Sequence, residues 1–121
     1  MKLDNKLQAR KNRMTEALQI LGLARRAGAV APGTAATRRS ISQGKARVVL
    51  MAEDASSAQL DKIRRTMHKR IIPQVLLGNR ATLGAAIGKA PITAVAVTDA
   101  SLARRLLESI DGEIMVDEGR D

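Results

Sequence analysis

Cysteine is missing from this 121-residue chain, which excludes disulfide staples, thiolate metal sites and cysteine nucleophiles and agrees with a reducing cytoplasm as the expected location. Phe, Tyr and Trp are missing as well, so the core must be assembled from Ala, Val, Leu, Ile and Met. Stacking of splayed bases on aromatic rings is therefore unavailable, and Arg planes are the only substitute. No run approaches the roughly 20 apolar residues of a membrane span, and the opening MKLDNKLQARKNRM has no apolar segment behind its charges, so it does not read as a secretory signal. Histidine occurs once, as His68 in the run MHKR. A lone His among cations on the outer side of a helix reads as a surface residue. No His, Asp or Glu set has metal-ligand spacing, and neither a serine elbow nor a Walker-type loop occurs. Enzyme activity, a metal and a cofactor are therefore not expected.

What is abundant is positive charge, and its distribution says more than the sum of +9. Residues 1–107 hold 20 Lys and Arg against 6 Asp and Glu, a net +14, whereas residues 108–121 hold one Arg against 6 acids, a net −5. A basic body with an acidic tail is the electrostatic footprint of a polyanion binder. The length is that of one domain, able to bury roughly two thirds of its unfolded surface.

The pattern along the chain divides it into a basic, flexible arm at 1–14, a folded body at 15–110 and an acidic tail at 111–121. From Thr15, the apolar stripe Ala17, Ile20, Leu21, Ala24 and Ala27 predicts an amphipathic helix that Gly28 ends. A short extended piece, Ala29 to Pro32, leads to a second helix over TAATRRSISQG. The run RVVLMA, apolar on both faces, predicts a strand covered by helices on each side. Asp54, Ser56 and Ser57 offer caps for a third helix with Leu60, Ile63 and Met67 inward. Two more cycles follow: strand Gln74 to Leu77 and a helix from Arg80 to Gly88, then strand Ile92 to Thr98 and a helix from Ser101 to Ile110. Such alternation of short buried strands with amphipathic helices predicts a three-layer α/β/α sandwich.

Two segments are candidates for function. In GTAATRR, Gly33 can let backbone approach a partner, the helix from Thr34 offers unpaired amides, and Arg38 and Arg39 add guanidiniums whose closeness to a helix start hints at an anion site. The acidic pair Glu53-Asp54 at the end of the central strand is either functional or, the favoured reading, a strand exit and helix cap.

The runs ILGLARRAGAV, GTAATRRSISQGKARVVLMAEDAS, IPQVLLGNRATLGAAIG and ITAVAVTDASLARRL resemble the kink-turn-binding ribosomal-protein superfamily, in particular its small bacterial YlxQ-like branch, over Thr15 to Leu107. The resemblance implies an L-thirty-e-like sandwich around a four-stranded mixed sheet and binding to a sharply bent internal loop in ribosomal or other non-coding RNA. It implies that the segment Gly33 to Arg39 grips RNA, where the family's usual Asn and Glu are replaced by Ala35 and Ala36. Gly33 and Thr34 match, and Arg39 stands in for a Lys. The family's pocket for an extruded base maps onto Ser56, Leu60 and Arg80, with the loop Lys89 to Ile92 closing over it. Alanine methyls do not read guanines as an amide and a carboxylate do. Two lost bidentate contacts, at about 1–3 kcal/mol each, could erase kink-turn selectivity while leaving backbone affinity intact.

The expectation is thus a monomeric, ribosome-associated RNA binder that docks through Gly33 to Arg39, Lys45, Arg80 and Lys89, with ribosomal or transcription–translation proteins as further partners. The competing expectation is a protein-interaction module that kept the fold and lost RNA recognition. The missing Asn and Glu favour the second; the +14 body favours the first.

Overall fold

The computed structural model describes residues 2–68 and 70–110. The elements run α1 (Lys2–Arg26), β1 (Val30–Pro32), α2 (Thr34–Ser42), β2 (Val48–Met51), α3 (Ser57–Thr66), β3 (Gln74–Leu76), α4 (Arg80–Ala86), β4 (Ala94–Val97) and α5 (Ala100–Ser109). The strands form one mixed sheet in the order β1-β4-β2-β3, in which β2 and β3 are parallel and the other two pairings antiparallel.

Period-two alternation divides the central strands between two cores. Val48, Leu50, Val95 and Val97 face α1, α4 and α5, where Ile20, Leu21, Leu83, Ile87, Leu106 and Ile110 are buried with them. Val49, Met51, Ala94 and Ala96 face α2 and α3, against Ile41, Ile63 and Met67. Both faces of β2 and β4 are covered, so all four residues of each are buried, as the unbroken apolar run predicts. Helices on both sides of the sheet make the three-layer sandwich.

Small residues do the work that aromatics do in larger cores. Gly84 is the tightest case: a β-carbon there would overlap the Ala90 carbonyl group and lie 2.8 Å from the Lys89 oxygen. The loop after α4 is therefore laid directly on the helix, with the Lys89 N–H donating to Gly84 O at 2.8 Å.

Three expectations need correction. The first fourteen residues are not an arm: from Lys2 onward they are the leading half of α1, which starts well before Thr15. Apart from Leu7 and Met14, which share one side of the helix, this half is mostly polar, yet Lys, Leu, Gln, Ala and Arg are good helix formers. Ala27, the last member of the proposed stripe, is exposed beyond the helix end. And β3 is an edge strand whose Gln74 and Leu76 are exposed, because only β2 pairs with it. The acidic tail at 111–121 lies outside the described residues.

Candidate nucleic-acid interface

The topology carries three helix starts to one edge of the sheet. β1 runs antiparallel to β4 and β2 parallel to β3, so the exits of β1, β2 and β3 meet the entry of β4. Three backbone bonds stitch that edge: Gly33 N–H to Ala94 O at 2.8 Å, Ala52 N–H to Thr93 O at 2.9 Å, and Glu53 N–H to Gly78 O at 2.8 Å.

Gly33 opens α2 with φ 92° and ψ 165°, and no side chain caps the helix. That conformation belongs essentially to glycine. The first-turn amides of an α-helix have no intrahelical acceptor, so Thr34, Ala35 and Ala36 turn the uncapped positive end of α2 toward solvent from half-buried or exposed positions. The Thr37 hydroxyl donates to Ala31 O at 3.2 Å, fixing the strand exit against the helix.

Asp54 belongs to this edge in a way the sequence reading did not foresee. Its Oδ1 accepts from the Arg80 backbone N–H at 2.8 Å and sits 3.6 Å from the Arg80 guanidinium. It thus serves the start of α4, across the edge, while Ser56 caps α3 by accepting from Gln59 N–H at 3.2 Å. Both partners of the Asp54–Arg80 pair are half-exposed, so the pair contributes at most about 1 kcal/mol; its effect is to aim Arg80. The Arg80 carbonyl in turn accepts from Ile92 N–H at 3.1 Å, tying the loop that carries Lys89 to the start of α4. An acidic residue directly after a buried strand was the available signal for Asp54.

The expected site residues therefore divide. Gly33, Thr34, Ala35 and Ala36, Ser56, Arg80 and Ile92 come together at this edge, with Leu60 one turn into α3 and Lys89 exposed on the loop that Gly84 and Arg80 anchor. Lys45 does not join them. It follows the far end of α2, its N–H donating to Ser40 O, just before Arg47 pairs with Val97 at the opposite end of the sheet. Arg38 is turned onto α3, its Nε donating to the Thr66 hydroxyl at 2.8 Å. Arg39 lies in the last turn of the nine-residue α2, where the helix dipole favours a cation. The inference of an anion from arginines crowding a helix start does not hold, because the helix is too short for Arg39 to belong to its start.

Chemically the edge offers amides, guanidinium and ammonium groups, and a carboxylate already engaged by Arg80. Among the described residues no group of three or more His, Cys, Asp or Glu could hold a metal ion, and no helix is long and apolar enough to cross a membrane.

A mixed β1-β4-β2-β3 sheet between α1/α4/α5 and α2/α3, with three helices starting at one edge, defines an L-thirty-e-like α/β/α sandwich. The chain belongs to the Ribosomal protein L7Ae/L30e/S12e/Gadd45 family, whose model matches residues 15–107. Among its relatives is RNA-binding protein YlxQ of Bacillus subtilis (strain 168), 37% identical over 92 residues that span 76% of this chain and 92% of that one. The RNA-binding protein YlxQ of Enterococcus faecium is 31% identical over 97 residues, 80% and 93% of the two chains. A Bacillus halodurans C protein of unknown function has a similar structure, with TM-score 0.74, 33% identity and coverage of 78% and 96%. The Giardia lamblia 15.5kD RNA binding protein shares the fold at TM-score 0.68 and 18% identity, over 85% of this chain and 88% of that one.

Proposed function

We propose that the protein binds structured RNA, ribosomal or another folded non-coding species, along the sheet edge where α2, α3 and α4 begin. The observation that carries this reading is the meeting of the uncapped α2 start with Arg80 and the Lys89 loop on one edge of a chain whose residues 1–107 carry a net charge of +14. Amides at a helix start hold phosphate oxygens, and Arg80 and Lys89 supply charge beside them. The two relatives named as RNA-binding proteins support the same reading.

The chemistry of the edge sets its selectivity. Ala35 and Ala36 present methyl groups where the family resemblance implies an amide and a carboxylate, so the edge reads backbone shape more than base identity. Kink-turn RNA is then one acceptable ligand and not a preferred one. Ribosome association belongs to the same proposal, since ribosomal RNA supplies many bent, folded segments.

Photo-crosslinking in cells, followed by peptide mass spectrometry and sequencing of the attached RNA, tests the proposal. Adducts should concentrate on peptides containing residues 33–36, 80 and 89–92. Adducts confined to Lys45 and Arg47, or recovery of protein partners with no RNA, would contradict it and favour a protein-interaction module.

A further inference from the structure

Outside the edge just described, a cleft of about 420 Å³ lies between the leading half of α1 and β3. Leu7, Met14, Leu76 and Ile110 line it, with Arg10 and Lys11. Leu7 is 47% exposed and lines the cleft with Val75, the β3 side chain packed against the α1-side core. β3 is also the last strand of the sheet, paired with β2 alone. Such a strand has a row of amides and carbonyls open to a further strand.

We infer that the chain's own acidic tail, residues 111–121, docks in this cleft along the open edge of β3. Three observations point to that occupant. First, Ile110 itself lines the cleft, and Ile114 follows it at a reach of about 13 Å of extended chain. Second, the tail places the apolar, β-prone Ile114-Met115-Val116 between Glu113 on one side and Asp117 and Glu118 on the other. The cleft is complementary in kind, an apolar floor from Leu7, Met14 and Val75 beside three cations, Arg10, Lys11 and Arg13, against one acid, Glu53. Third, the family match covers residues 15–107, so the basic leading half of α1 and the acidic tail both lie outside the shared body, and the cleft is lined by the first of them and by Ile110, from which the second continues. Tethering at Ile110 gives the tail an effective concentration on the order of millimolar, so a weak intrinsic affinity is enough to seat it. The docked segment adds a strand beside β3, by the mode in which sheets accept extended peptides.

This inference does not depend on RNA binding and is tested without RNA. The native chain has no cysteine, so a Leu76→Cys/Met115→Cys pair in the full-length protein reports contact directly when oxidised at low concentration. A Lys45→Cys/Met115→Cys pair, anchored at the opposite end of the sheet, is the control. The first pair should close an intramolecular disulfide at least about tenfold faster than the control, and Arg10→Glu/Lys11→Glu should slow it. Should Leu76→Cys disturb the edge strand, Leu7→Cys/Met115→Cys reads the same cleft from the helix side. Equal rates for cleft and control pairs would overturn the inference. So would disulfide-linked dimers that form in place of monomers, which would assign the cleft to a second copy.

Discussion

Gly33 and Gly84 are the two residues whose substitution most directly tests how the edge is built. Gly33 has open space around it but a backbone conformation that L side chains rarely adopt, so Gly33→Ala should cost about 1–3 kcal/mol of stability through strain alone, read by urea denaturation. Gly84→Ala acts differently: its methyl would strike the Ala90 carbonyl, displacing the loop that carries Lys89. It should therefore weaken RNA binding as well as lower the melting temperature. The Ala35→Asn/Ala36→Glu double variant should gain discrimination of about 1–3 kcal/mol per restored base contact, measured as the affinity ratio between a kink-turn RNA and the same RNA with its bend abolished. The sequence alone made Gly33 legible as the residue that opens α2, where a glycine before a helix is expected and φ 92° requires one. It misplaced Arg38 and Arg39, because side-chain direction depends on what lies across the helix: Thr66 on α3 captures Arg38, and sequence spacing within α2 does not reveal α3.

Among the elements, those with an apolar period were legible and those without one were not. β2 and β4 were read from unbroken apolar runs, and Ser56 was among the proposed caps of α3. The leading half of α1 was missed because Leu7 and Met14, seven residues apart among polar neighbours, make too thin a stripe to read. That weakness makes it testable. Ala9→Pro breaks a helix by about 3 kcal/mol locally, and here should lower ellipticity at 222 nm while the cooperative melt of the remaining body persists. Loss of the whole transition would instead make this half part of the central core. Leu50→Ala, in the fully buried centre of β2, should cost about 2–5 kcal/mol and sets the scale for comparison.

At the scale of the whole molecule, charge and topology act together. The sequence revealed the amount of positive charge but not which cations share a face, since that depends on strand order. Lys45 sits close to Arg39 in sequence yet at the far end of the sheet from Gly33, whereas Arg80 and Ile92, distant in sequence, converge on its edge. The measurement that tests this account most directly is a filter-binding titration of a folded ribosomal RNA fragment against salt, comparing the native protein with Arg80→Ala/Lys89→Ala. If about five phosphates are neutralised, log affinity should fall against log salt with a slope of roughly −4. The double variant should flatten that slope by about two. A native slope near zero, or one that the double variant leaves unchanged while Lys45→Ala alters it, would contradict the placement of RNA at this edge.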